Sequence, residues 1–375
     1  MKSFFRYLSL GLLIPAGMVL ADTPRQECLG RMTFDVPEDM QWATYDPYNS
    51  KTVDGGTQGF SQHVTANFDR LSYDFDGLRI FVSDRIAREK LEGFSNFIGG
   101  NHYLAAKSNR RNVEMGRFVL ELMEKGGYSV TDIDKARAEL RTAEHALLLT
   151  QDHRHDLGIA DARFIGSEAF PTKAVLWRQQ RIYIFAMEDP QPNAAERFKD
   201  LIARFEPWAL YEIPQGPGVC LPYGFIRDDG DTHYEFKNSL RFQSSPNVIV
   251  GLLDASVGNP WNSKPVFGTE NDYLPTYDFS KWTKQVFSEP LPLGHASATF
   301  MGWHLAPRLN SGERERLWFG LAHRGGSTEP LVALQVTTVR QGVDHIQSLT
   351  PPPEEVIPRI SALGSSIEHK LGNAK

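Results

Sequence analysis

Cysteine is almost absent from this chain: 375 residues contain two, Cys28 and Cys220. A disulfide-dense scaffold, a Cys-rich zinc module and an iron–sulfur centre are thereby excluded. Long apolar runs are equally scarce. One, Leu8 to Leu20, follows Lys2 and Arg6 and is broken by Gly11, Pro15 and Gly17. It falls short of the ~20 residues that a comfortable membrane span needs, and no later run reaches that length. Positive charge is not in surplus either, since 40 Lys and Arg face 46 Asp and Glu for a formal net charge of −6. Phosphate contacts need clustered Lys and Arg, so nucleic acid is not an expected partner. No strand leads through G-x-G-x-x-G into a helix and no Walker A string is present, so no nucleotide cofactor is expected.

What is there begins with an address. Residues 1–21 have the basic start, the short apolar run and the Val19-Leu20-Ala21 cleavage context of an export signal. Cys28 lacks the small-residue surroundings of a lipid-attachment cysteine, which favours a soluble exported product. Roughly 350 residues then remain, more than a single core usually holds, and two domains are expected. The boundary is read at Pro214-Gln-Gly-Pro-Gly218, two Pro and two Gly in five residues. This gives residues 22–212, a linker at 213–218, and residues 219–372. A Cys-Leu step opens each half, Cys28-Leu29 and Cys220-Leu221. In an oxidising compartment the pair is either one bridge or two separately buried thiols.

In the first half Met32, Phe34 and Val36 alternate with polar residues as a strand, and Gln41 to Tyr45 is expected to return beside it. Pro47 to Phe60 reads as a loop. Leu78 to Val82 reads as a buried strand with a short helix starting at Ser83-Asp84. Helical spacing runs from Asn112 to Lys125, stopped by Gly126-Gly127. A second helix is expected from about Asp132 to Leu149, with Thr131 and Asp134 as its capping pair. Ile133, Ala136, Leu140, Ala143 and Leu147 step by three and four and predict a stripe packed on a core, with too few heptads for a coiled coil. Strands at Ala162–Gly166, Ala174–Trp177 and Arg181–Met187 and a helix from Asn193 to Phe205 follow. The second half is strand-dominated: Val219–Ile226, His233–Phe236, Asn247–Leu253, Ser297–His304, Leu317–His323 and Leu331–Val339. Leu334, Val336 and Thr338 alternate with Gln335 and Thr337, the pattern of a sheet with one wet face. A closing helix places Val356, Ile360, Leu363 and Ile367 together. The order predicts an α+β fold of mainly antiparallel sheets with packed helices in each domain.

Catalytic signatures are weak. Gly93-Phe94-Ser95-Asn96-Phe97 begins like a nucleophile elbow, but Phe97 takes the place of the second glycine. Asp152-His153-Arg154-His155-Asp156 could supply metal ligands; equally, it is the polar end of the preceding helix. No catalytic or metal-ligating residue is therefore assigned. Recognition surface is the remaining candidate. Asp254 to His295 has no sustained period, and within it Trp261, Tyr273, Tyr277 and Trp282 sit among Pro, Gly and Asn. Such aromatics either anchor an interface or fill a small core beneath the segment. Asp228, Asp229 and Asp231 form an acidic tip, a solvated hairpin turn or a steering patch for a basic partner.

In their order, the export signal, Cys28-Leu29-Gly30-Arg31, Val219-Cys220-Leu221 leading to Gly224-Phe225-Ile226, and Glu329 to Val336 before a terminal helix resemble the two-domain periplasmic immunity proteins of the bacterial type VI secretion system. The long aromatic segment departs from that pattern. The resemblance implies a non-enzymatic protein that grips a lipase effector in the periplasm between two claw-like domains, and a Cys28–Cys220 bridge would hold those domains rigid. The alternatives are a periplasmic metal-dependent hydrolase using His153 and His155, or a cell-envelope binding module using the aromatic segment.

Overall fold

A computed structural model of the chain describes residues 25–46, 61–62, 72–150, 155–156, 158–167, 171–187, 192–257, 280–342 and 346–371. The segment read as an export signal and the loop read at Pro47–Phe60 lie outside the described residues. In chain order the first half contains β1 (Arg25–Leu29), β2 (Met32–Val36), β3 (Met40–Trp42), β4 (Tyr45–Asp46), β5 (Ser61–Gln62), β6 (Ser72–Phe75) and β7 (Leu78–Arg85). Helices α1 (Leu91–Lys125) and α2 (Val130–Thr150) follow, then β8 (Ala162–Gly166), β9 (Pro171–Arg178), β10 (Arg181–Ala186), α3 (Ala194–Arg204) and β11 (Phe205–Pro207). The second half contains β12 (Gly218–Leu221), β13 (Gly224–Arg227), β14 (Tyr234–Phe242), β15 (Ser245–Ala255), β16 (Trp282–Leu293) and β17 (Ala296–Pro307). It ends with β18 (Leu317–Arg324), β19 (Leu331–Thr338), α4 (Pro353–Ser365) and β20 (Glu368–His369).

The fold is α+β, and among the described residues its sheets are antiparallel but for one parallel contact between β4 and β7. A 14-stranded sheet runs β16-β17-β18-β19-β15-β14-β6-β7-β10-β9-β8, with β3 also on β14. This corrects the expectation that each half has a sheet of its own. Strand β14, from the second half, pairs with β6 and β3 from the first. The expected linker is the turn between β11 and β12, and both of those strands pair with β13. The physical reason is the exposed edge: each half alone would leave a row of unpaired N–H and C=O groups, and joining them satisfies both.

One apolar core crosses the same boundary. It joins Leu29, Phe34, Phe75, Phe185, Phe198, Leu240, Trp318 and Ile360. Helix α3 contributes Phe198, Leu201 and Ile202, and α4 contributes Val356, Ile360 and Leu363, the faces that their spacing predicts. Ile367 belongs to the same core just past α4. On the opposite face Ile249, Leu253, Leu331 and Ala333 pack with Phe81, Leu91, Phe94 and Ile98. Strand β19 is therefore buried throughout, Gln335 and Thr337 included, and the expected wet face is absent there.

Several local expectations change. Gln41 turns away from β2, and β3 pairs with β14 instead. Ser83 and Asp84 extend β7 rather than starting a helix, because Ser83 Oγ accepts the Ile182 N–H across the sheet at 2.8 Å. The apolar stripe of α2 does not reach the core: no α2 side chain is buried. It faces α1, and the two helices form an antiparallel coiled-coil hairpin. From residue 103 onward Ala106, Asn109, Val113, Gly116, Leu120 and Met123 are the less exposed residues of α1, and Ile133, Ala136, Leu140, Ala143 and Leu147 are among those of α2. Both sets follow the three–four alternation of a coiled-coil seam. An added Cβ at Gly116 would meet Leu140 Cδ1 at 3.2 Å. Asn109 Nδ2 donates to Ala146 O and to Thr150 Oγ1, each at 3.1 Å, a polar pair that sets register. The cap is Ser129, not Thr131: its Oγ accepts the Asp132 N–H at 3.2 Å.

Glycine has a steric role at the β17–β18 pair, where Gly302 and Gly320 are opposite each other. A Cβ at Gly320 would lie 2.1 Å from Phe300 Cζ, and one at Gly302 would lie 1.9 Å from Phe319 O. The Phe300 ring thus occupies the space that a side chain would need. Gly320→Ala should destabilise the fold by about 2 kcal/mol or more through overpacking. Urea unfolding of Gly320→Ala, and of Gly320→Ala with Phe300→Leu, checks this. The second substitution should recover part of the loss, and additive losses would refute the steric cause.

Candidate functional site

The sequence places the first element of the site at the tight turn between β1 and β2. Gly30 has φ +59° and exchanges two backbone hydrogen bonds with Cys220, of 2.8 and 2.7 Å. Cys28 and Cys220 are bonded to each other, with Cα atoms 5.7 Å apart. Of the two readings left open, the bridge holds. It lies with Phe225 and Leu371 in a small buried cluster. Behind it, Glu27 accepts hydrogen bonds from the Tyr211 N–H and the Trp42 indole N–H. Burial pushes the Glu27 carboxyl up to about 7, against the opposing pull of the Tyr211, Trp42 and Cys28 donors.

Arg31 organises the acidic turn. Its guanidinium donates to the Asp228 carboxylate and to the carbonyls of Gly230 and Thr232, and lies 4.8 Å over the Tyr234 ring. Asp228 also accepts from Gly230 N and from the Thr232 hydroxyl. Asp228 is buried and serves as the internal counter-charge of Arg31 rather than as exposed surface. Asp229 and Asp231 stay exposed on the same turn.

Below the turn lies Asp254, fully buried at the end of β15. It accepts from the Arg31 backbone N–H at 2.7 Å and from the Tyr234 hydroxyl at 3.0 Å, and bonds His369 Nε2 at 2.9 Å. A Cβ on Gly30 would meet Asp254 Oδ2 at 2.4 Å, so this carboxylate and that glycine require each other. Burial pulls the His369 imidazolium down, but the charge and hydrogen bond of Asp254 outweigh it, and its pKa is raised overall. Around this network is an open cavity of about 500 Å³, with Arg31, Asp231, Tyr234, Val257 and His369 in its wall. The aromatic segment leaves the described chain at Val257, on this wall. Trp261, Tyr273 and Tyr277 lie outside the described residues.

Trp282 is described, and of its two readings it takes the second, a side chain that fills a small core. It is buried with Trp303, Leu305, Leu317 and Phe319, on a strand that Pro290 and Pro292 conceal in the sequence. The hydrolase and metal candidates are also committed elsewhere. Ser95 is buried within α1, without a strand–turn–helix around it. The His155 ring bonds Gly166 O at 2.8 Å, and its backbone pairs with Phe164. His153 lies outside the described residues. Among the described residues no three His, Cys, Asp or Glu side chains gather as a metal site, and no helix is long and apolar enough to cross a membrane.

Sequence reasoning missed Glu27, Asp254 and His369. Asp254 carried a signal: a single carboxylate ending the apolar run from Val248 to Leu253 must find partners or be expelled. His369 carried none.

No curated protein matches the chain significantly. Among solved structures it is similar to the immunity protein TplEi of the T6SS of Pseudomonas aeruginosa complexed with "L" peptide, at 15% identity over 94% of this chain and 99% of that one, with a TM-score of 0.48. It is also similar to the Tle4–Tli4 complex, at 15% identity over 93% and 98% of the two chains, with a TM-score of 0.47. The stretch that supplies Cys220, the acidic turn, Tyr234 and Asp254, residues 212–259, matches the family described as the Tle cognate immunity protein 4 C-terminal domain.

Proposed function

We propose that this chain is an immunity protein that binds and inhibits a phospholipase effector of the type VI secretion system in the periplasm, and that it acts without chemistry of its own. The observation that carries the reading is the family match over residues 212–259, the segment that builds the bridge, the acidic turn and the cavity. The construction suits the task. A toxin arriving in the producer's own periplasm must be held with slow dissociation, and a preorganised surface reduces the ordering cost of binding. One continuous sheet spans both halves, and Cys28–Cys220 ties the two small three-stranded sheets to each other; together they supply that rigidity. Neither Ser95 nor His155 is placed to act on a substrate.

The test mixes the purified mature chain with a type VI phospholipase effector from the same genome. A single co-eluting peak at micromolar concentration and stoichiometric loss of phospholipid hydrolysis are expected. Separate peaks with undiminished hydrolysis would overturn the reading.

A further inference from the structure

Helix α1 changes partners along its length, and the change falls at a pair of glycines. The helix is 35 residues long, Leu91–Lys125, and carries Gly99-Gly100 in its third turn. Before the pair it belongs to the sheet. Leu91, Phe94 and Ile98 pack with Phe81, Val175 and Ile184, and Arg163 donates to the Glu92 carboxylate at 2.8 Å. After the pair it belongs to α2. Asn109 donates to Ala146 and Thr150, Gly116 lies against Leu140, and Arg117–Glu144 and Arg137–Glu124 are ion pairs of 2.8 Å across the hairpin. Helix α2 adds no root of its own. None of its side chains is buried, and after Thr150 the chain next joins the sheet at His155, in the bridge to Phe164.

Two adjacent glycines are the weakest point a helix can have short of proline. Neither has a Cβ to restrict φ and ψ, and each lowers helix propensity relative to alanine. At Gly116 close packing on Leu140 gives a reason for glycine. Gly99 and Gly100 instead stand between two sets of anchors, where the helix passes from one body to the other. Bends in helices concentrate at such sites.

We infer that Gly99-Gly100 is a hinge on which the α1–α2 hairpin turns, as one stiff arm, relative to the sheet. About 25 residues separate the pair from the end of α1, which makes the arm roughly 37 Å long at 1.5 Å per residue. A bend of about 15° at its base therefore moves the tip by about 10 Å, and Tyr128 and Val130, 56 and 74% exposed, move with it. A change confined to two residues leaves the packing on either side intact, which is how hinges work. The sheet is the fixed part of the molecule and the hairpin the adjustable one. One chain thus presents the same tip at several angles, and a partner that touches it selects among them. The inference goes beyond the function proposed above and does not depend on it.

The experiment compares the full mature chain, Gly99→Ala/Gly100→Ala, and the control Gly93→Ala, where an added Cβ has open space among the described residues. Amide hydrogen exchange is followed by mass spectrometry, and amide residual dipolar couplings compare the orientation of residues 106–150 with that of the sheet. In the wild type, residues 100–104 should exchange at least tenfold faster than 95–98 and 109–120. The couplings of the arm should fit an alignment tensor of its own, with a smaller order than that of the sheet. The double variant should slow exchange at 100–104 by at least tenfold, about fivefold being expected for each glycine, and should bring arm and sheet under one tensor. Gly93→Ala should leave both readouts at their wild-type values. Wild-type protection at 100–104 equal to that of the flanking turns, or one tensor for wild-type arm and sheet, overturns the inference. So does a double variant whose couplings still need two tensors, because the pivot would then lie elsewhere.

Discussion

Replacing both bridge cysteines, Cys28→Ser with Cys220→Ser, is expected to lower the stability of the oxidised protein by about 5 kcal/mol on the loop-entropy estimate. The bridge spans 192 residues, so without it the unfolded chain regains the freedom of a very long loop. That cost depends only logarithmically on length, and the long separation puts it near the top of the usual range. Native contacts at the site should survive the substitution. Gly30 and Cys220 pair through their backbones, and β1 pairs with β2 along its length. The folded state is therefore expected to remain, with its urea midpoint moved far down and its m-value raised, because the unbridged unfolded chain is less compact. A midpoint shift equivalent to less than about 1 kcal/mol would show that residual order in the unfolded chain already brings the two strands together. Because both sulfurs are buried, a reductant should act on the native protein only as fast as the protein opens.

What could be read from the residues, and what could not, follows from the range of the interactions. Helices α3 and α4 were legible because three–four spacing is local, and the strands of the second half because turn residues punctuate them. The pairing of β14 with β6 and β3 was not legible, since strands so far apart in sequence leave no mark on either segment. The two Pro and two Gly residues before Gly218 mark a change of direction, and a change of direction resembles a domain boundary. The stripe on α2 was legible while its partner was not: Asn109 and Gly116 interrupt the apolar seam of α1, so its heptad is hidden without the facing helix. In Trp282–Leu293, Pro290 and Pro292 argue against a strand, but β16 is an edge strand, where proline is tolerated. The acidic turn looked solvated because Asp228 stands among other carboxylates; its partner, Arg31, is 197 residues earlier. The bridge was half legible among long-range contacts: two cysteines allow only one pairing, but two separately buried thiols were equally open to the sequence.

Asp254→Ala should be as damaging as loss of the bridge, and its signature should be a reversed dependence on pH. Removing this carboxylate leaves the Tyr234 hydroxyl, the Arg31 N–H and the buried face of His369 without their acceptor, and breaking a buried ionic hydrogen-bond set typically costs about 3–5 kcal/mol. The three donors come from the β1–β2 turn, β14 and β20, so the loss should loosen both chain ends and the cavity wall together. In the wild type the raised pKa of His369 means that the folded protein holds this proton more tightly than the unfolded chain does. The stabilisation is fully present below the ordinary histidine value of about 6.5 and disappears as pH rises through the folded-state value. In Asp254→Asn, a closer isostere, burial and the Arg324 charge remain to push the imidazolium down, with only the weaker pull of Glu329 against them. The sign then inverts: the variant should be penalised as pH falls toward 6 and relieved as it rises. Glu27 titrates near neutrality in both proteins and cancels in the difference between them. Urea midpoints of wild type and Asp254→Asn from pH 5.5 to 8.5 measure that difference, which should shrink steadily with increasing pH. A constant difference would mean that His369 is not coupled to this carboxylate, and that Asp254 holds the fold through Tyr234 and Arg31 alone.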